Sequence, residues 1–326
     1  MDELARWASE RAPHLIARAE EQAIAVLRDA FVDAARRERR AGATETPRPP
    51  ARLSPAPTPA AVGELVWTYC IARAREATPV DGGGVAGAEV ERIEAAGLAA
   101  FVSRVPVAEF GAQALHENLN DLAWLERVAR GHETVLEQAF ALTTIVPLRL
   151  CTLYEDDEGV RAILEREQTT LHDALERLEG RQEWGVKVTV DAERLAEAAR
   201  AASPQATTFE DELADRTAGG AYILRRRLER HVRDCADSLA ADVAAQIHAR
   251  LQDWAIDAVT HAAQNRDLSG HEGEMLLNGA YLVETDRADG LRALAVELES
   301  HHRALDARIE LTGPWPPFNF VAGTGA

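Results

Sequence analysis

The chain has 326 residues, 46% of them hydrophobic and 5% aromatic, with a formal net charge of −18. That length suits two ordinary domains with extra segments, and that charge excludes bulk electrostatic coating of nucleic acid or of an anionic membrane. No run reaches the roughly 18–20 apolar residues of a membrane span, and the start lacks a basic-then-apolar leader, so a soluble cytoplasmic protein is expected. Cys70, Cys151 and Cys235 are far apart and form no C-x-x-C, which suits a reducing compartment. Lys187 is the only lysine.

In chain order, residues 1–42 read as a helical arm, with Ile16, Ala23, Ile24, Leu27 and Phe31 at a period of about 3.6 residues. The arm ends in the basic cluster Arg36, Arg37, Arg39 and Arg40. Residues 43–63 are a proline-rich linker, too poor in apolar residues to pack. A first domain is expected over 64–191. Its β-rich run 65–72 leads into a glycine-rich loop, and runs 89–94 and 98–105 flank Ala95-Ala96-Gly97 like a hairpin. A long amphipathic helix carries Leu115, Leu119, Leu122, Leu125, Ala129, His132, Leu136 and Ala139 on one face. Residues 143–154 read as strand, with Pro147 implying an edge or a bulge. A helix over 157–178 and a strand over 183–190 complete this domain.

A second domain is expected over 192–312. It opens with a polar helical connector over 192–216, followed by a helix marked by Tyr222, Leu224, Leu228, Val232, Cys235 and Leu239. Strands at 255–263 and 274–283, a helix over 289–304 and a strand at 307–312 follow. The fold class read from this order is α+β: two tandem, modified ferredoxin-like sandwiches with an N-terminal helical extension and a proline-rich tail over 313–326. In that tail Pro314, Pro316 and Pro317 exclude helix and central strand. Trp315, Phe318 and Phe320 would expose large apolar areas if the tail dangled. The string is therefore expected to dock, on its own chain or on a partner.

Motifs for chemistry are sparse. Gly82, Gly84 and Gly87 satisfy G-x-G-x-x-G after a strand, but the following run reads as strand, not as the helix whose amides a dinucleotide needs. A flexible loop is expected there. His132-Glu133 lacks the second histidine of H-E-x-x-H, and His132 lies on the apolar helical face, as a core or interface residue would. His301-His302 stand near a helix end, where the C-terminal dipole favours them without a metal. Glu155-Asp156-Asp157-Glu158 reads as an N-cap with acids that complement the helix dipole. No serine or cysteine carries a nucleophile motif. Catalytic, cofactor and metal residues are accordingly not assigned. Candidate partner-binding residues are Arg225, Arg226, Arg227 and Arg230, with Arg36, Arg37, Arg39 and Arg40 of the arm. The interleaved Glu229 and Asp234 also fit an ordinary solvated face.

Several blocks occur in a specific order. They are Val105-Pro-Val-Ala-Glu-Phe-Gly111, Glu117–Glu126, His132–Glu137, Val146–Tyr154, Glu183–Lys187, Met275–Val283 and Glu310–Val321. Over residues 65 to 321 this set resembles the gas vesicle protein L/F family (GvpL/GvpF). The chain departs from that family's pattern at Leu150-Cys151, where Phe-Gly is usual, and residues 1–60 have no counterpart. The resemblance implies a minor gas vesicle protein of the cytoplasm, required for assembly of the shell and not an enzyme. Its implied partners are the small hydrophobic shell subunit and other minor gas vesicle proteins, with no nucleic acid, membrane or cofactor. The subunit could be taken at a sheet edge or under amphipathic helices, and self-association through the arm is compatible with this. The alternative is a cytoplasmic ligand-binding regulator or enzyme on paired ferredoxin-like domains.

Overall fold

The computed structural model describes residues 63–321 apart from 215, 217 and 262–272. The helical arm, the linker up to residue 62 and the arginines Arg36, Arg37, Arg39 and Arg40 lie outside the described residues, as do tail residues 322–326. Two compact units meet in sequence at Glu179 and Gly180, the second running to Phe320. Among the described residues no helix is long and apolar enough to cross a membrane.

The first unit is built on β1 (Glu64–Arg73), β2 (Glu91–Ala95) and β3 (Leu98–Pro106). Helices α1 (Val107–Phe110), α2 (Ala112–Asn118) and α3 (Leu122–Leu142) follow, then β4 (Val146–Pro147) and β5 (Leu153–Tyr154), then α4 (Asp157–Arg166) and α5 (Gln168–Leu178). The antiparallel sheet has the order β2-β3-β1-β4, with β5 also paired to β1. Residues 66–72 of β1 are buried without alternation, the mark of a strand covered on both faces. Trp67 and Tyr69 face α3, each with its ring centre within 6 Å of that of His132. Thr68 and Ile71 line a narrow apolar cavity with Val160, Ile163 and Leu164 of α4 and Leu171 of α5. Burying each such aromatic or branched side chain stabilises by about 1.5–3 kcal/mol.

Two local readings change here, and a third is sharpened. The expected helix from Leu115 to Ala139 is broken before Leu122, because the Asp121 carboxylate accepts the Ala123 and Trp124 N–H groups and starts a new helix. The expected strand 143–154 is an edge strand with a bulge. Trp67 pairs Leu153 and Cys70 pairs Pro147, leaving residues 148–152 opposite only Thr68 and Tyr69. Within the bulge Cys151 adopts φ +64°, a conformation that suits glycine, the residue the resembled pattern carries there. The glycine loop, in turn, is docked. The Tyr69 hydroxyl accepts the Val85 N–H at 2.8 Å and donates to Ser103 Oγ at 2.8 Å, and Ser103 donates to the Glu89 carbonyl. Val85 is buried, and Gly131 of α3 lets the loop backbone approach, with Val85 Cα 3.2 Å from where a Cβ would stand. Asp156 caps α4 through the Gly159 N–H, as the acidic run suggested.

The second unit comprises β6 (Arg181–Val190), α6 (Ala192–Ala202), α7 (Pro204–Ala214), α8 (Ala218–Trp254), β7 (Asp257–His261), β8 (Glu274–Glu284), α9 (Ala288–His301) and β9 (Arg308–Trp315). All pairings are antiparallel, in the order β7-β8-β6-β9. Strand 183–190, which the domain bounds put in the first domain but which also stands in front of the second unit's strands to give a β-α-β-β-α-β order, is thus a central strand of the second sheet. Its pairings with β8 and β9 decide this, and its alternation sends Trp184, Val186, Val188 and Val190 into one core with Ile247 and Leu251 of α8 and Leu291 and Leu298 of α9. The expected connector 192–216 is two helices. Pro204 cannot continue a helix but fits a first turn, and Ser203 Oγ accepts the Ala206 N–H at 3.2 Å. Leu195, Ala199 and Ala206 are buried, so these helices pack. The helix expected around 222–239 continues to Trp254, displacing the start of the next strand to Asp257.

Two stability outcomes follow from the first unit. Thr68 is buried and its Oγ1 has no hydrogen-bond partner. Thr68→Val should therefore raise the unfolding free energy by about 1–2 kcal/mol in urea titration; an unchanged or lower value contradicts the unsatisfied hydroxyl. A Cβ on Gly84 would stand 2.1 Å from the Tyr69 hydroxyl and 2.7 Å from Ser103 Oγ. Gly84→Ala should cost about 1–3 kcal/mol, and in a Tyr69→Phe background measurably less, because the obstructing oxygen is gone.

Candidate functional site

The tail is the most constructed feature of the second unit. β9 pairs with β6 along Arg308–Thr312, then shifts register so that Trp315 lies opposite Glu183. The shift is made at Gly313, with φ +133° and a cis bond to Pro314. A Cβ on Gly313 would meet the Glu183 carbonyl oxygen at 2.9 Å, so the close approach requires glycine. Pro314 is exposed, Trp315, Pro316 and Pro317 are buried, Phe318 is half-buried and Phe320 is buried. A 3₁₀ turn at Phe318–Phe320 ends the segment. It presents Asn319 to Glu183, whose buried carboxylate accepts the Asn319 N–H at 2.9 Å and its Nδ2 at 2.7 Å. A carboxylate held by two donors is a strong anchor. Neither residue was assigned from sequence; the available signal was a lone polar residue inside an aromatic string.

Arg225, Arg226, Arg227 and Arg230 lie in the first turns of α8, all exposed. Arg226 reaches Glu229 at 3.9 Å, a surface pair of little consequence. Beside them Tyr222 and Ile223 are 62% and 61% exposed. The basic patch therefore carries a large apolar margin, and the structure does not bring it near any other sequence-assigned residue that it describes.

Other polar clusters have structural explanations. His132 is buried, accepts the Trp67 Nε1–H at Nδ1 and lies 3.2 Å from the Leu148 carbonyl through Nε2, which therefore carries the proton. Burial, then the neighbouring His301, push the His302 pKa below its ordinary value. Ser203 Oγ lies 2.7 Å from His231 Nε2, but that serine is the α7 cap, and no carboxylate orients His231 among the described residues. At the β9 edge of the second sheet, Lys187, Thr189, Glu299, Arg308, Ile309 and Glu310 line a groove of about 300 Å³. Burial lowers the Lys187 pKa, with Glu310 opposing the shift. The Glu299 carboxylate accepts the Ile309 N–H at 2.6 Å, occupying a donor on the free edge of β9. Among the described residues no group of three or more His, Cys, Asp or Glu is placed to hold a metal.

A family model described as gas vesicle synthesis protein GvpL/GvpF matches residues 65–322, which span both units. The chain belongs to the GvpL/GvpF family. Gas vesicle protein L of Streptomyces sp. (strain CB03234) is 36% identical over 259 residues, covering 79% of this chain and 92% of that protein. Gas vesicle protein F of the same strain is 30% identical over 227 residues, covering 69% of this chain and 84% of that protein. The crystal structure of GvpF from Anabaena sp. PCC7120 shares the fold at a TM-score of 0.61 and 16% identity, covering 79% of this chain and 98% of that one. The two antiparallel sheets with interleaved helices are thus a GvpF-type α+β architecture. No enzyme activity is named for the family or these relatives.

The Glu183–Asn319 clamp yields a direct outcome. Glu183→Gln should lower the unfolding free energy by about 1.5–3 kcal/mol, the worth of a charged hydrogen bond. Deleting residues 316–326 should lower the melting temperature, and in that background Glu183→Gln should cost less. Fully additive losses would show that the tail is not the carboxylate's partner.

Proposed function

We propose that this protein acts in the cytoplasm as an assembly factor for gas vesicles, binding the small hydrophobic shell subunit and either limiting its aggregation or itself joining the nascent shell. The observation that carries this reading is the family match across both units, to proteins of gas vesicle synthesis. A shell that keeps water out needs a subunit with one strongly apolar face, and before assembly such a face drives non-specific association.

Each unit is read as a ferredoxin-like sandwich. The second has β-α-β-β-α-β order with strand sequence 2-3-1-4 across the sheet. The first repeats that strand order, with the docked glycine loop in place of its first helix. Of the two capture modes, strand addition along β9 is disfavoured, because Glu299 occupies the Ile309 N–H and Pro314 has none to offer. Coverage by helices is favoured. Leu122 and Leu142, at the two ends of α3 and on opposite flanks of it, are 66% and 53% exposed and offer separate apolar contacts to the subunit.

The test is co-expression with the shell subunit. The two should co-purify, and the purified protein should suppress the light scattering of subunit diluted from denaturant. Leu122→Asp with Leu142→Asp should weaken both effects without changing the melting temperature. If the wild-type protein neither co-purifies with the subunit nor alters its scattering, the chaperone-like reading fails.

A further inference from the structure

One exposed stripe on α8 reads Ile223, Arg227, Arg230, Asp234, Asp237, Ala241. Steps of four and three residues alternate along it, so the six positions stay on one side of the helix for about five turns. All six residues are exposed. Among the described residues, Arg227, Arg230, Asp234 and Asp237 form no ion pair within the chain. The stripe is apolar, then basic, then acidic, then small.

A stripe with that order is its own complement when turned end for end. We propose that α8 pairs antiparallel with α8 of a second copy of this chain, around a two-fold axis that passes between Arg230 and Asp234 on the exposed side of the helix. In that register Arg227 faces Asp237, Arg230 faces Asp234 and Ile223 packs over Ala241, each contact made twice by symmetry. A parallel pairing would set arginine on arginine and aspartate on aspartate. A uniformly acidic partner would meet Asp234 and Asp237 with like charge, so a second copy satisfies the stripe better. Tyr222 and Ile223 supply the exposed apolar area at each end.

The contact spans about 30 Å of helix, at the small end of specific interfaces, below about 1,200 Å² in total. The dimer is therefore weak, reversible and salt-sensitive. This inference does not depend on the shell-subunit reading.

Sedimentation velocity on the full chain tests it. At about 100 μM protein and about 50 mM salt a dimer should be populated, and dissociation should be at least about tenfold easier at about 0.5 M salt, where screening is strong. Arg227→Glu with Arg230→Glu gives an all-acidic stripe, and Asp234→Arg with Asp237→Arg an all-basic one. Each variant alone should be monomeric, and an equimolar mixture should form heterodimers. The fourfold swap, which restores complementarity, should dimerise again and so controls for misfolding. A monomeric wild type at low salt, a dimer that survives in either variant alone, or a mixture that stays monomeric would each overturn the proposal.

Discussion

A strand buried on both faces must satisfy its polar groups inside the protein, and β1 imposes that requirement on the whole first unit. Water cannot reach Trp67 or Tyr69, so the indole N–H is bonded to His132 and the phenol to Ser103 and Val85. These bonds position α3 against the sheet and hold a loop where the second unit uses helices. The loop can lie flat because Gly84 and Gly131 leave no side chain between it, Tyr69 and α3. Thr68, on the opposite face, lacks such a partner and marks where the requirement is not met.

The second unit meets the same requirement at its margin. Alternation along β6 sends Trp184, Val186, Val188 and Val190 into the core and leaves Glu183 on the other side. That carboxylate is nevertheless buried, since the chain beyond β9 folds back and supplies both donors of Asn319. Around this clamp Trp315 and Phe320 lose their exposure. Large apolar side chains left to solvent lie away from this clamp, among them Leu122 and Leu142 at the ends of α3, Tyr222 and Ile223 on α8, and Val296 on α9.

Much of this is legible in the sequence. Element types follow from periodicity, and most boundaries fall within a few residues of their expected places. The misreadings have specific causes. Asp121 and Ser203-Pro204 restart helices whose apolar period runs straight through them, because a cap changes the backbone without changing the pattern. Gly82–Gly87 looked flexible because glycine's freedom is local, whereas its docking depends on Tyr69 and Ser103 from other strands. The tail's aromatic residues were recognised as needing cover, but Asn319 was not recognised as the group that anchors them.

Local pattern and the ordered blocks determined the α+β class, the succession of strands and helices, the absence of recognisable catalytic motifs and the resemblance to a family. Tertiary structure decided which sheet β6 joins, that the glycine loop is docked, and that Glu183 is met by Asn319 from 136 positions away. The reason is physical. Periodicity records which side of an element is apolar, while the partner of a buried polar group is settled only when distant segments are brought within hydrogen-bond reach.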